Sequence, residues 1–442
     1  MTLPDEMYTM ENYNRLVSSE LNYNINELHE QHQTMYASLT TEQKDIYKVL
    51  MNVVNTEKGG MYFVYGYGGT GKTILYKTLS AAIRSQKETV LNVASSGIAA
   101  LLLEGGRTAH YRFAIPINIV DDSMCHIPGD SELAELIRRC RLIIWDEAPM
   151  THRHCSEAFD RMLRDICRTN PLHPSNQIFG GKVVLYGGDF QQILPVITNG
   201  TRHEVVHAAI NSSYLWEQCT VLKLTINMRL ESGKNTSERK EIQDFADWIL
   251  SIGNGTIGEK RDGETIVKFS DEMLVPESDD HIDAIIQETY PDLKNSIYKS
   301  GYFQERAILA PTHQLVDMVN DRMLELIPGD EHTYHSSDSV GIVDQDNNFN
   351  EELYTTDFLN SIKIAGIPNH TLTLKVGTPV MCMRNIDQTA GLCNGTRLQV
   401  MRLGVNVIEA MIITGGCVGT ICTIPRMILS PSDTKLLFMF NR

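Results

Sequence analysis

The 442-residue sequence predicts an α/β fold built on a parallel sheet. Four short apolar runs have the length and composition of buried strands: 61–65, 90–94, 142–145 and 183–186. Glycine-rich or polar segments follow these runs directly: 66–71, 95–97, 146–147 and 187–189. Because the carboxyl ends of parallel strands meet at one edge of a sheet, we expect a binding site at that edge.

The composition is that of a globular protein with sizeable cores, since 42% of the residues are hydrophobic. The length suggests two or three folded units. Lysine plus arginine number 39 and aspartate plus glutamate 55, so the net charge is 39 − 55 = −16. This balance excludes a polybasic coat for nucleic acid or membranes, although a local groove can still bind nucleic acid.

The same sequence predicts an intracellular protein. Its nine cysteines contain no Cys-x-x-Cys pair, which favours reduced thiols. No apolar run reaches the roughly 20 residues that cross a bilayer. The acidic, polar start MTLPDEMYTMEN does not have the pattern of a signal or transit peptide.

Further elements follow in chain order. Residues 1–35 form a polar lead-in, and apolar residues at helical spacing predict a helix over 40–53. A second block begins near residue 226. Within this block, a helix with an apolar stripe is predicted to end at Gly253. The run Ala307-Ile308-Leu309-Ala310-Pro311-Thr312 predicts a strand that leads into a helix, and short Thr-, Val- and Ile-rich runs over about 370–430 predict a small β-rich module.

A phosphate-binding loop is the strongest signal in the sequence. It reads Gly66-Tyr67-Gly68-Gly69-Thr70-Gly71-Lys72-Thr73 and lies between a predicted strand and an amphipathic helix. The nucleotide-binding residues that we expect are Gly66, Gly68, Gly69, Thr70, Gly71, Lys72 and Thr73. The glycines let backbone amides face the phosphates, Lys72 neutralises them, and the Thr73 hydroxyl is a candidate Mg²⁺ ligand. The alternative, a glycine turn that binds nothing, does not explain this strand–loop–helix context.

Two more strand ends carry groups suited to nucleotide hydrolysis. Asp146 is placed to hold Mg²⁺, and Glu147 to polarise the attacking water. In Gly187-Gly188-Asp189-Phe190-Gln191-Gln192, a glutamine can sense the γ-phosphate of ATP. Taken alone, the acids could be solvated strand-end residues and the glutamines part of a polar turn.

Together these segments resemble a known family, the PIF-like (petite integration frequency) ATP-dependent DNA helicases. The resemblance rests on YGYGGTGKT, SSGIAALLLEGGRTAH, LIIWDEAPM, LYGGDFQQILPV and LTINMRL, with later matches in FADWILSIGNG, ERAILAPTHQLVDMVN and LKVGTPVMCMRN. It covers residues 10–442 and is nearest to the Helitron-type helicases of plants. It implies two RecA-like domains, at 36–225 and 226–442, with the β-rich module as an SH3-like insertion.

The resemblance also implies roles for single residues. Gln43 matches the glutamine that reads adenine, Gln192 matches the γ-phosphate sensor better than Gln191, and Arg229 matches an arginine that stabilises the γ-phosphate charge. Residues matching those that grip single-stranded DNA in the family are Ser95, Gly97, Thr108, His110 and Thr312. For each of these, an ordinary capping or turn role is the alternative.

As a function, the resemblance implies ATP- and Mg²⁺-dependent movement along single-stranded DNA from five-prime to three-prime. It implies unwinding of tailed or forked duplexes, with roles in DNA repair, recombination and telomere maintenance in the nucleus. We expect no membrane partner; a monomer is the expected state, although the sequence leaves the oligomeric state open.

One departure from the family pattern raises a rival function. The family pattern continues beyond the β-rich module into two further motifs, one of them bearing an arginine, whereas this sequence ends at Arg442. The expectation is therefore a truncated second domain, and the main alternative is an ATP-binding remnant that does not unwind DNA. A second alternative, a P-loop switch or kinase, accounts for neither LIIWDEAPM nor the second block.

Overall fold

The protein divides into two compact units, Met1–Ile257 and Gly258–Arg442. The computed structural model describes residues 14–168, 177–232, 235–261, 264–299, 301–340, 355–363, 367–387, 390–430 and 440–442. The predicted domain boundary between residues 225 and 226 lies within the first unit, so its place as a functional boundary stays a prediction.

The helices and strands are numbered in chain order. The helices are α1 Arg15–Leu21, α2 Ile25–Ser38, α3 Thr41–Asn55, α4 Lys72–Ser85, α5 Gly97–Leu101, α6 Ala109–Arg112, α7 Glu132–Arg139, α8 Arg153–Cys167, α9 Arg202–Ala208, α10 Thr236–Gly253, α11 His281–Thr289, α12 Leu293–Ser296, α13 His313–Leu326 and α14 Thr356–Ser361. The strands are β1 Gly60–Tyr65, β2 Thr89–Ala94, β3 Arg107–Thr108, β4 Cys140–Asp146, β5 Val183–Gly188, β6 Cys219–Lys223, β7 Glu259–Arg261, β8 Glu264–Ile266, β9 His332–His335, β10 Ser339–Val340, β11 Thr371–Leu374, β12 Pro379–Met381, β13 Arg397–Leu403, β14 Val407–Ile412, β15 Ile421–Pro425 and β16 Phe440–Asn441.

The first unit is built on a parallel sheet, as predicted. Within its described residues the sheet has six strands in the order β3-β2-β4-β5-β1-β6, and every neighbouring pair is parallel. The four predicted strands are β1, β2, β4 and β5. Pairing of Gly60 with Val183 and of Tyr65 with Gly188 aligns the ends of β1 and β5, so the loops that follow them lie side by side.

Helices cover both faces of this sheet, which explains why β1, β2, β4 and β5 are rich in apolar residues. On one face, α3 and α4 pack through residues such as Leu50 and Leu79 against Val64 and Ile144. On the other face, α7 and α8 pack against a cluster that includes Trp145. The predicted helix at 40–53 is α3, which begins with a capping box between Thr40 and Gln43.

The polar lead-in forms helices α1 and α2, each capped by an asparagine, and residues 1–13 of this predicted segment lie outside the described residues. Glu20 of α1 is buried and accepts hydrogen bonds from Arg84 at 3.4 Å and Arg112 at 2.8 Å. This ion-pair network attaches the lead-in to the end of α4 and to α6.

The second unit contains a helical core and the predicted β-rich module. Residues of α11, α12 and α13 form an apolar cluster around Ile286 and Ile297. Within the predicted range of about 370–430, β12, β13, β14 and β15 form an antiparallel sheet in that order. The prediction of an α/β protein with a small β-rich module near the C-terminus is therefore confirmed.

One predicted strand is wrong. Residues 307–312 contain no strand, although the helix predicted after them is present as α13. A strand needs a hydrogen-bonded neighbour, and among the described residues none pairs with this segment. The side chain of Leu309 is 93% exposed, so the apolar composition that suggested a buried strand does not correspond to burial.

No helix among the described residues combines the length and the apolar character needed to cross a membrane. All nine cysteines are free thiols, and burial raises the pKa of several of them, including that of Cys140 to about 11.

A buried ion pair in the second unit joins Arg442 to Asp338. Their side chains are 4% and 0% exposed, and the closest nitrogen–oxygen distance is 2.6 Å. Arg442 also donates to the backbone carbonyls of Leu359, Ile362 and Pro368. Every guanidinium nitrogen therefore has an acceptor, which is the condition under which a buried charge is tolerated.

We predict that Arg442→Ala destabilises the protein by about 3 to 5 kcal/mol, because the buried Asp338 carboxylate loses its arginine partner. The matched control is Arg402→Ala, which removes an exposed arginine paired with Glu409 and should cost about 1 kcal/mol or less. Urea denaturation followed by far-ultraviolet circular dichroism measures both. Equal losses in the two variants would contradict the structural role of Arg442.

Candidate nucleotide-binding site

The phosphate loop connects β1 to α4 through two glycines with left-handed backbone conformations. Gly69 has a φ of +97° and Gly71 a φ of +79°, a region that side chains strongly disfavour. A Cβ atom on Gly69 would overlap the Asn227 amide, and one on Gly71 would overlap the Gln43 amide. Both positions therefore require glycine for two reasons, the backbone conformation and the close approach of a neighbour.

Lys72 and Thr73 lie in the first turn of α4, where free backbone N–H groups favour an anion. The Lys72 side chain is 9% exposed, and its ammonium donates to the Gly66 carbonyl. The Thr70 hydroxyl donates to the Tyr67 carbonyl at 2.9 Å, which braces the loop from within. These contacts make a compact loop whose lysine is bonded to the loop's own backbone.

The acidic pair stands at the carboxyl end of β4. Asp146 is 4% exposed, and its Oδ1 accepts from the Glu147 backbone N–H at 3.0 Å. Burial raises the pKa of Asp146, although this N–H group and Lys72 counteract the effect. Burial is the main cause of a raised pKa at Glu147, and the charge of nearby Asp146 raises this pKa further. A carboxylate with a raised pKa is a better proton acceptor, as general-base catalysis requires.

The donor set at this edge suits Mg²⁺. Asp146 offers a buried carboxylate and Thr73 a hydroxyl, both hard oxygen donors. Proteins bind Mg²⁺ by one or two such groups together with substrate phosphates rather than by a full protein cage. Among the described residues, no group of three or more His, Cys, Asp or Glu side chains could bind a metal on its own.

The third motif follows β5 directly. Asp189 is buried, and its carboxylate contributes to the raised pKa of Glu147. The Gln192 N–H donates to the Asp189 carbonyl at 3.2 Å, and Gln192 is half-buried. Gln191 instead donates through its side chain to Asn254 at 2.8 Å. The sheet thus brings the third motif next to the acidic pair, and the sensor role of Gln192 stays a prediction.

Gln43 and Arg229 also meet the phosphate loop. Gln43 is 1% exposed, and its amide donates to the Thr70 carbonyl at 3.0 Å. The Arg229 side chain lies over Gly69, with its Cδ 3.2 Å from where a Cβ on that glycine would be. Both residues are therefore beside the loop, and their roles toward adenine and γ-phosphate stay predictions.

The candidate DNA residues are placed in both units. Ser95 links two motifs, because its hydroxyl donates to the Glu147 carbonyl at 2.7 Å and accepts from the Trp145 indole at 3.1 Å. Gly97 begins α5, and Thr108 precedes α6, which carries His110. Burial lowers the pKa of His110. Thr312, in the second unit, caps α13 by accepting from the Leu315 N–H at 3.4 Å.

Sequence reasoning missed Tyr76 and Glu42. Tyr76 is fully buried beside Gly187, and its hydroxyl has no protein hydrogen-bond partner among the described residues. Burial, with a contribution from Asp146, raises the pKa of Tyr76 well above its usual value. The Glu42 carboxylate accepts from the Thr225 N–H at 2.9 Å. The sequence indicated no role for either side chain, because the partners of both lie far away along the chain.

The fold and the site define a P-loop nucleotide-binding protein. The model of the family described as PIF1-like helicase matches residues 38–263, just over half of the chain. A second model, DNA helicase Pif1, 2B domain, matches residues 357–403 and so includes part of the β-rich module. The chain belongs to the PIF1-like helicase family.

Curated relatives include the ATP-dependent DNA helicase PIF1 of Candida albicans, 25% identical over 361 residues, and that of Xenopus laevis, 24% identical over 366 residues. The alignments cover 81% and 82% of this chain but only 34% and 47% of those proteins. This chain therefore spans between a third and a half of these relatives.

Among solved structures, a Bacteroides Pif1 helicase in complex with ADP-AlF3 and single-stranded DNA is 22% identical. It has a TM-score of 0.58 and covers 91% of this chain and 80% of its own. A structure described as forked-duplex unwinding by two coordinating Pif1 helicases has a TM-score of 0.57, 21% identity and coverage of 91% and 79%. These likenesses establish the shared fold.

We predict that Gly187→Ala destabilises the first unit by about 1 to 3 kcal/mol, because the new methyl group would overlap the buried Tyr76 hydroxyl. Tyr76→Phe alone should be nearly neutral, since it removes a hydroxyl that has no protein partner. The double variant should recover part of the loss. Thermal denaturation of all four proteins forms a double-mutant cycle, and strict additivity would show that the overlap is not the cause.

Proposed function

We propose that this protein is an ATP-dependent DNA helicase that moves along single-stranded DNA from five-prime to three-prime. One observation carries the proposal: a single sheet edge brings together the phosphate loop, the acidic pair and the third motif, and Arg229 lies over the loop. Such a site can bind a nucleoside triphosphate and activate water next to its γ-phosphate.

The comparisons support DNA as the partner of this site. The curated relatives are named ATP-dependent DNA helicases, and the solved relatives are described as a complex with single-stranded DNA and as unwinding forked duplex DNA. We propose the same substrates here, single-stranded DNA and tailed or forked duplexes. A groove of hydroxyls, backbone amides and stacking side chains would allow such binding despite the net charge of −16.

Each residue of the site then has a chemical role. Lys72 neutralises the β- and γ-phosphates, and Glu147 accepts the proton of the attacking water. Thr73 and Asp146 would hold Mg²⁺, which supplies further charge neutralisation at the phosphate oxygens when bound. Gln192 senses the γ-phosphate, Arg229 stabilises its developing charge, and Gln43 reads the adenine.

The finer parts of the proposal concern DNA contacts and biology. The residues proposed to contact the DNA backbone are Ser95, Gly97, Thr108, His110 and Thr312. We propose a nuclear location and roles in DNA repair, recombination and telomere maintenance, as in PIF-like helicases. The proposed nearest kinship is with Helitron-type helicases, on the strength of motifs such as LIIWDEAPM and LTINMRL.

We predict that Glu147→Gln lowers ATP hydrolysis by about 10²- to 10⁴-fold and leaves nucleotide affinity within about twofold, because an amide cannot accept the proton of water. Glu132→Gln, on the exposed side of α7, is the matched control and should behave as the unaltered protein. Phosphate release and equilibrium nucleotide binding measure the two effects. Loss of binding with normal turnover per bound nucleotide would make Glu147 a structural residue.

Unwinding is the direct test of the helicase proposal. We expect ATP-dependent strand separation of a duplex with a five-prime single-stranded tail and none with a three-prime tail. The measurement is the fluorescence increase when a quenched, labelled strand is released, with the Glu147→Gln variant as the inactive control. ATP hydrolysis without unwinding of either duplex would favour the rival, an ATP-binding remnant.

A further inference from the structure

The segment that follows β6 is tied to the nucleotide site at several points. Residues 224–229, here called the strap, receive a hydrogen bond from the Tyr67 hydroxyl to the Thr225 carbonyl at 2.7 Å. Glu42 accepts from the Thr225 N–H at 2.9 Å and from its hydroxyl at 3.0 Å. The Met228 N–H donates to the Gly69 carbonyl at 2.9 Å. The strap therefore bridges α3 and the phosphate loop.

The Gln43 amide is shared between strong and weak partners. Its Oε1 accepts from the Thr40 N–H at 2.9 Å, which completes the helix cap of α3. Its Nε2 donates to the Thr70 carbonyl at 3.0 Å and to the Met228 thioether sulfur at 3.2 Å. A thioether is a weak acceptor, so one of the two hydrogens on this buried nitrogen is poorly satisfied.

We propose that Met228 is a positioning residue for base recognition, with its sulfur standing where adenine N7 would accept from Gln43. This inference rests on the proposed function, in which Gln43 reads the base. A glutamine amide pairs with adenine through two bonds, donating to N7 and accepting from the N6 amino group. Oε1 keeps a second lone pair for that amino group, because the Thr40 N–H uses only one.

The arrangement favours adenine over guanine. Adenine N7 is a stronger acceptor than a thioether, so exchanging sulfur for N7 improves the bond of the buried amide. Guanine carries a carbonyl oxygen where adenine carries its amino group. That oxygen would face Oε1 of Gln43, and two acceptors cannot bond to each other.

Movement of Met228 would also affect Arg229, the residue proposed to stabilise the γ-phosphate charge. Asn227 lies against Gly69, and its Oδ1 accepts from the Arg229 N–H at 3.1 Å. Arg229 follows Met228 directly and lies over the same glycine. Displacement of the Met228 side chain by adenine would weaken the hydrogen bond from the Met228 N–H to the Gly69 carbonyl. Recognition of the base would in this way be coupled to the position of Arg229.

The test replaces the sulfur without changing the size of the side chain. In Met228→Leu the Gln43 amide keeps its bond to the Thr70 carbonyl but has no thioether to bond to, so adenine no longer competes with the sulfur. We expect the affinity for ADP to rise about 3- to 10-fold and that for GDP to stay unchanged. Met51→Leu, on the same helix as Gln43, is the matched control and should alter neither. Fluorescent ADP and GDP analogues measure all of these affinities.

The outcomes separate this inference from the proposed function. If the unaltered protein binds ADP and GDP equally, Gln43 does not read the base and that part of the proposed function fails. If the unaltered protein prefers ADP and Met228→Leu leaves this preference unchanged, the role of Met228 alone is overturned. A change of both affinities by the same factor would likewise mean that Met228 acts only on the packing of the loop.

A second measurement follows hydrogen exchange at the backbone amides of the strap. Adenine binding should increase hydrogen exchange at the Met228 amide, whose bond to Gly69 is loosened, while the Thr225 amide held by Glu42 stays protected. Mass spectrometry of overlapping peptides that begin several residues before Thr225 and end on either side of Met228 separates the two amides, with ADP and with GDP. Uniform protection of the strap by ADP would overturn the proposed release.

Discussion

The parallel pairing of β1, β4 and β5 is the constraint on which the rest of the first unit depends. Parallel strands buried on both faces must all run in one direction, so their carboxyl ends share one edge. Pairing of Tyr65 with Gly188 and of Trp145 with Tyr186 fixes which loops are neighbours at that edge. A slip of this register would separate the phosphate loop from the acidic pair without altering either motif.

Charge explains why this edge suits a nucleotide. Asp146 and Glu147 lie near Lys72, and Asp189 adds a further carboxylate that acts on Glu147. Burial favours the neutral forms of Asp146 and Glu147, whereas the Lys72 cation favours their charged forms. Binding of a polyanionic nucleotide with Mg²⁺ would change this balance, because the metal supplies positive charge where the carboxylates converge.

The elements most visible in the sequence are those whose structure is decided locally. β1, β2, β4 and β5 are apolar runs with polar ends, and α3 has its own capping box, so short windows of sequence were sufficient. β6 was missed because most of its side chains are exposed and its composition is unremarkable. The run at 307–312 shows the converse, since composition predicted a strand but pairing depends on a partner elsewhere in the chain.

Some features of the candidate site could likewise be predicted from the sequence, whereas others could not. The phosphate loop and the acidic pair could be predicted because their chemistry requires particular residue types at short spacing. Contacts such as Glu42 with Thr225, or Gln43 with Met228, join residues more than 180 positions apart, and no local sequence pattern predicts them. They depend on β6 pairing with β1, which brings the strap beside α3 and the phosphate loop.

The central claim is that the nucleotide site at this sheet edge works in response to DNA. The most direct measurement is the rate of ATP hydrolysis by the chain as single-stranded DNA is titrated, with Lys72→Ala and Lys77→Ala compared in parallel. Lys77 lies exposed on the same helix as Lys72, so its loss should be harmless. We expect hydrolysis to rise to saturation with DNA in the unaltered protein and in Lys77→Ala, and to be absent in Lys72→Ala. A rate that stays constant while DNA binds, or one that survives Lys72→Ala, would contradict the account.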